Sequence, residues 1–221
     1  MKKQIILIAA FLTISIVGKS QTFSIGPKAG VNISNLTNLD KLESKAGLIA
    51  GGFMMYSIIE HFGIGLDILY SNEGAKYVYE VNDGNDFTRY QFTADLNYLR
   101  FNVPLTIFFS KRDHAVRPKI FAGPTFAFLL SAKNKSELIT SSNNGVSTLD
   151  GTRTVTDDFN RVDFGGLVGA GINFRLAESV WLDVDASYHA DGIDIVKNPP
   201  SGSDPVHNVG LAFSAGLGFG F

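Results

Sequence analysis

The last stretch of the chain constrains its fold most. From Asn208 to the terminus, Val209, Leu211, Phe213, Ala215, Leu217, Phe219 and Phe221 alternate without a break with Asn208, Gly210, Ala212, Ser214, Gly216, Gly218 and Gly220. A period of two marks a strand, here with one large, greasy face and one face of very small side chains. The chain then stops on an aromatic residue, Phe221.

The same two-faced pattern recurs upstream. Opposite Phe62, Ile64, Leu66, Ile68 and Tyr70 lie Gly63, Gly65, Asp67, Leu69 and Ser71. Opposite Val162, Phe164, Val168, Ile172 and Phe174 lie Arg161, Asp163, Gly165, Leu167, Gly169, Gly171, Asn173 and Arg175. A soluble ligand-binding barrel also alternates, with its greasy face inside. Its outer face would then be dense in Lys and Glu. Here the second face is mostly Gly, Ala and Ser, punctuated by lone ions of both signs. Small residues suit the interior of an eight-stranded barrel, which side chains just fill, and the large apolar parity suits lipid. The pattern predicts an all-β fold: an eight-stranded antiparallel up-and-down transmembrane β-barrel.

Eight strands are read at residues 22–32, 46–57, 62–72, 91–109, 119–131, 161–175, 180–189 and 207–221. Their connections alternate in length. Residues 33–45, 73–90, 132–160 and 190–206 are long, and residues 58–61, 110–118 and 176–179 are short. Outer-membrane barrels carry long loops outside the cell and short turns in the periplasm. Aromatic residues near strand ends, Tyr70 and Trp181 among them, read as interfacial girdles. In the fourth strand Leu99, Phe101, Val103, Leu105 and Ile107 hold one parity, whereas Phe92, Ala94 and Leu96 hold the other. A bulge near Asn97 or Tyr98, or an extension above the membrane, explains that slip. Pro104 and Pro124 predict local bulges, because proline lacks the N–H a ladder uses.

The N-terminus supplies an address. Lys2 and Lys3 precede an apolar run from Ile5 to Val17, and Gly18 and Ser20 stand three and one residues before Gln21. This is the order of a secretory signal peptide cleaved between Ser20 and Gln21. The reading is a signal peptide over residues 1–20 and one barrel domain over residues 21–221. Cleavage removes Lys2, Lys3 and Lys19, leaving 16 basic against 21 acidic residues, a net charge of −5. No basic stripe remains for nucleic acid. The absence of cysteine excludes disulfides and thiolate-held metals.

No catalytic, metal or cofactor site is read from the residues. His61 and His114 fall in short turns. His189 stands two residues before Asp191, and His207 follows Asp204, so a rim hydrolase is a minor alternative, but no nucleophile motif accompanies them. The inward charges say more. By parity Lys28, Asp67, Arg100, Asp163, Arg175, Asp183 and Asp185 face the interior, with Lys119 joining them. Ions in a narrow barrel must pair, because desolvation is costly. They read as an ion-pair network that plugs the lumen rather than a solute pathway, since aqueous channels take 16–18 strands.

The segments LNYLRFNVPLTIFF (96–109), RPKIFAGPTFAFLLSA (117–132) and FSIGPKAGVNISNL (23–36) resemble the PorT-type outer-membrane β-barrel family of Bacteroidetes, in that family's order. The resemblance spans essentially the mature chain. It implies an eight-stranded barrel in the outer membrane of a Gram-negative, Bacteroidetes-type cell, and it carries no catalytic motif. The reading is therefore a non-enzymatic envelope protein that meets outer-membrane lipid. Its terminal Phe221 serves as the signal for the barrel-assembly machinery, and its long outer loops bind an envelope protein or glycan. The alternative is a narrow-pore transport or secretion accessory.

Overall fold

The computed structural model describes residues 22–39, 41–82, 87–142, 145–199 and 201–221. The cleavage pair Ser20 and Gln21 lies outside them. Ten strands follow in order: β1 (Phe23–Leu36), β2 (Leu42–Ile59), β3 (Phe62–Asn82), β4 (Phe87–Asn102), β5 (Leu105–Phe108), β6 (Val116–Ser142), β7 (Gly145–Thr154), β8 (Val162–Ala177), β9 (Val180–Asp191) and β10 (Asn208–Gly220). Neighbours pair antiparallel in the order β2-β1-β10-β9-β8-β6-β4-β3, and the pairing of β2 with β3 closes the ring. Phe221 extends β10, its N–H donating to the Phe23 carbonyl at 2.8 Å, and its ring is exposed.

β4 and β5 both pair with β3 on one side and β6 on the other, so β5 resumes the path of β4. The interruption falls at Val103 and Pro104, where a ladder N–H is missing. Two backbone bonds hold the gap: Val103 N–H to the Pro124 carbonyl at 3.0 Å, and Gly65 N–H to the Pro104 carbonyl at 2.8 Å. Pro104 therefore breaks a strand, whereas Pro124 stays in the β6–β8 register opposite Gly166.

The two faces of the ring sort as their parity dictates. Val31, Ile33, Leu48, Ile68, Phe126, Val168, Tyr188 and Phe213 are exposed on the outside, while Lys28, Asp67, Arg100, Lys119, Asp183 and Asp185 are buried inside. A water-soluble protein has the opposite arrangement. Trp181 departs from the girdle expectation. It shares the parity of Asp183 and Asp185 and is buried in the lumen.

The expected long loops are mostly ladder. β3 and β4 stay paired to Asn82 and Phe87, and β6 and β7 pair from Lys133/Thr154 to Ser142/Gly145. Tyr77, Tyr79 and Val81 face Phe92, Tyr90 and Thr88 across the β3–β4 ladder. Aromatic and β-branched residues of this kind favour strands once a partner strand is present. Together β3, β4, β6 and β7 form a four-stranded blade rising beyond the ring.

The parity slip of the fourth strand has its explanation here. Even-numbered β4 residues face inward throughout, from Arg100, Tyr98 and Leu96 up to the blade. What changes is the outer face, from Leu99 and Phe101 to Asn97, Asp95 and Thr93. The irregularity itself lies in β6, where Leu130 is extra opposite the Asn97/Tyr98 step. Above this level the inner face becomes an apolar core of Leu36, Ala75, Leu96, Tyr98, Ala127, Leu129, Ala132, Val155, Ile195 and Val206.

Ile195 and Val206 come from the last long connection, which folds over the mouth instead of standing free. Ile195 N–H donates to the Val206 carbonyl at 2.8 Å, and Asn160 N–H to the Ile195 carbonyl at 2.9 Å. The Asp194 carboxylate accepts the Val196 and Val206 N–H groups at 3.0 and 3.2 Å.

Candidate functional site

Two charge clusters fill the interior below this cap. Nearer the short-turn end, Lys28 Nζ lies 3.2 Å from Asp67 and 2.9 Å from Asp185. Lys119 Nζ lies 2.6 Å from Asp183 and 2.9 Å from Asp185. Asp185 thus links the two lysines, and the five groups form one chain across β1, β3, β6 and β9. Each lysine also lies near an aromatic ring, Lys28 at 5.7 Å from Phe53 and Lys119 at 5.5 Å from Phe121.

The second cluster centres on Arg100. Its Nε and Nη2 donate to Glu73 at 3.0 and 2.7 Å, and its Nη1 and Nη2 donate to Asp191 at 2.9 and 2.8 Å. Nη1 also donates to Thr125 Oγ1 at 3.1 Å, so every guanidinium N–H is used. Asn208 Nδ2 donates to Glu73 as well. Glu73, 0% exposed, was expected at the start of a loop. It is instead a ladder residue opposite Leu96 that points into the barrel.

Of the eight expected network residues, Lys28, Asp67, Lys119, Asp183 and Asp185 come together. Arg100 instead centres the second cluster with Glu73 and Asp191, and Asp163 and Arg175 join neither. Asp163 is buried at the upper end of β8, where its carboxylate accepts the Phe164 and Ile193 N–H groups at 2.8 and 3.2 Å. Arg175 sits at the lower end, donating to the Asp113 and Glu178 carbonyls, each at 3.4 Å, with its guanidinium 5.8 Å from the Trp181 ring. Both keep inward parity; Asp163 stands level with Arg100 across the β4–β6–β8 ladder but is held by backbone N–H groups, and Arg175 lies four residues beyond Gly171, the partner of Lys119.

Sequence reasoning missed Glu73, Asp191 and Arg117 as interior groups. Arg117 is buried, with its guanidinium 4.0 Å over the Phe108 ring and donating to the Glu60 carbonyl at 2.9 Å, and it closes the short-turn end. The parity of Asp191 with Asp183 and Asp185 was the available signal. Glu73 and Arg117 shared parity with Asp67 and Lys119, but lay outside or at the edge of the assigned strands.

Glu73, His189 and Asp191 bring ligand atoms within 4.8 Å of one another, the spacing of a cation site. The Arg100 guanidinium already binds both carboxylates and supplies the positive charge a metal would bring. His189 Nε2 lies 3.6 Å from Glu73, beyond a hydrogen bond. The space left over is small: cavities of about 40 Å³ between Asn32, Arg100 and His189, about 30 Å³ between Phe53, Arg117 and Trp181, and about 10 Å³ between Phe53, Thr106 and Lys119. At roughly 10–15 Å³ per water, each holds a few waters at most.

Gly171 tests this packing. A Cβ there would collide with Asp185 Oδ1 and lie 2.6 Å from the Val184 carbonyl and 2.9 Å from Lys119 Cε. Gly171→Val is expected to cost about 1–3 kcal/mol through overpacking, read as a lower urea midpoint. An unchanged midpoint would mean that the charge layer is loosely packed.

An inverted barrel with a charged, packed interior is one half of the identification. The sequence supplies the other: residues 19–192 match the family model of the outer membrane protein beta-barrel domain. The chain belongs to this family.

As an outer-membrane β-barrel protein, the molecule turns its exposed apolar side chains toward lipid. The change of the outer face from Leu99 to Asn97 then marks the upper membrane boundary. Tyr70 sits at that level and donates to Asn97 at 2.6 Å. Asp95 caps it, 3.1 Å from Lys45 and 2.5 Å from Lys135.

Among solved structures, the chain is similar to Neisserial surface protein A, with 15% identity, 93% of this chain and 100% of that one covered, and a TM-score of 0.49. OprG from Pseudomonas aeruginosa shares 14% identity over 90% and 95% at a TM-score of 0.47. Ail of Yersinia pestis shares 13% over 89% and 98% at 0.39. No curated protein matches the chain.

Proposed function

We propose that this is a non-enzymatic outer-membrane protein whose barrel is a filled anchor and whose blade binds a partner at the cell surface. Counting β4 and β5 as one stave and leaving β7 to the blade gives eight membrane-crossing staves. Eight-stranded barrels have room for side chains and little else. The observation that carries the reading is the contrast between the two ends. Ion pairs and an apolar cap occupy the interior, while β3, β4, β6 and β7 continue well above the membrane level. Recognition commonly resides in such outward elements on a rigid scaffold. The partner is another envelope protein or a glycan. The PorT-type segments support a Bacteroidetes member of the family, exported by a signal peptide over residues 1–20 and assembled through Phe221. A narrow-pore or secretion-accessory role would need a continuous lumen, and the interior contacts count against one.

Replacing residues 138–149 by Asn-Gly tests this. The described residues of this stretch, 138–142 and 145–149, pair within the blade, and loop length alters closure entropy by about 0.6 kcal/mol per doubling. The trimmed barrel is expected to keep its heat-modifiable gel mobility and to lose its cross-linked surface partner. A folded, trimmed barrel that keeps every partner would remove the blade from the proposal. Stable single-channel steps from the intact protein in planar bilayers would favour the pore.

A further inference from the structure

We infer that β7 is an open docking edge taking an extended segment of a partner protein, apolar on one side and basic on the other. This rests on the blade being the binding element and names the chemistry of what it binds. Among the described residues β7 pairs with β6 alone, and residues 146–154 are exposed. An edge of this length offers a row of unpaired backbone N–H and C=O groups, which proteins usually blunt with Lys, Pro, a bulge or a covering element. The β7 sequence GVSTLDGTRT has no Lys and no Pro, its charged residues being Asp150 and Arg153, and its pairing with β6 runs without a bulge.

The two faces of the blade specify the side chains of the occupant. On the inner face Tyr79 stands opposite Tyr90, Tyr90 opposite Leu138, and Leu138 opposite Leu149. This row crosses all four strands and stops at the edge with Leu149 69% exposed. The next strand is therefore completed by an apolar side chain beside Leu149. On the outer face Gln91, Glu137 and Asp150 are cross-strand neighbours. Two acids directly opposite one another repel, and among the described residues no cation pairs with either. A Lys or Arg beside Asp150 relieves that repulsion. Main-chain bonds to the edge and alternate side chains on its faces are the means by which strand addition gains affinity and specificity.

The test uses purified full-length protein in lipid nanodiscs and three labelled octapeptides. The first alternates Lys or Thr with Val; the second carries Glu in place of Lys; the third is the Lys peptide with every backbone amide N-methylated. The Lys peptide should bind, and N-methylation, which keeps its charge, should abolish binding. Asp150→Lys should weaken the Lys peptide about tenfold and favour the Glu peptide, since attraction becomes repulsion at one cross-strand pair. Equal binding of the methylated peptide, no binding of the Lys peptide, or a preference unmoved by Asp150→Lys would overturn the inference. Dimers that form without peptide and dissociate on Asp150→Lys would assign the edge to a second copy of this chain instead. Loss of the cross-linked partner on trimming residues 138–149, together with failed peptide binding, would leave the blade as the binding element and refute only the edge.

Discussion

Arg100→Leu should lower the stability of the folded barrel by about 3–5 kcal/mol, the cost of leaving buried charge without its counter-ion. Among the described residues Arg100 is the cation that hydrogen-bonds both Glu73 and Asp191, and it reaches each through two N–H···O bonds. Removing it strands two carboxylates beside a third buried one, Asp163. The conservative comparison is Leu105→Ile on the outer face, which exchanges one apolar side chain for another and should cost less than about 1.5 kcal/mol. Urea midpoints in lipid vesicles, followed by gel mobility, separate the two. Replacing Arg100, Glu73 and Asp191 together by apolar residues of similar volume should recover much of the loss, because the penalty belongs to the unpaired charge. Equal midpoints for Arg100→Leu and Leu105→Ile would mean that the cluster is hydrated and the interior open.

The second large effect is expected outside. Phe213 is 46% exposed on the outer face of β10, midway between Asn208 and Gly220. Phe213→Arg places a charge in lipid and should cost about 2–4 kcal/mol near the bilayer midplane. The neighbouring Ser214→Ala, on the inner parity, should change little. In a soluble barrel the order of the two effects would not follow the face in this way. A Phe213→Arg protein that folds into vesicles as readily as the unmodified chain would refute the assignment of that face to lipid.

The alternation of β3, β8 and β10 was legible because it is a local property: each residue's neighbour two positions away reports the same environment. The inward placement of Lys28, Asp67, Arg100, Lys119, Asp183 and Asp185 followed from it directly. Partners did not, since Asp185 joins Lys28 and Lys119 only through pairings between β9, β10, β1, β8 and β6 that no local pattern reports. The blade was hidden for a related reason. Ser141, Gly145 and Asp150 have turn-like composition, and a ladder between β6 and β7 overrides it only when both strands are present. The β4 slip also had two candidate causes in the sequence, bulge and emergence from lipid. Both occur, on different strands.

The cap and the charge layer are two cores of opposite polarity stacked in one molecule, and they answer to different conditions. Apolar burial weakens on cooling and strengthens with excluded salts such as sulfate, whereas buried ion pairs are little screened by salt. Cold at low salt should therefore loosen Ile195 and Val206 over the mouth while Lys28, Arg100 and Lys119 hold their partners. The outer opening and the membrane anchor can thus soften independently, so the surface can be remodelled without unfastening the barrel.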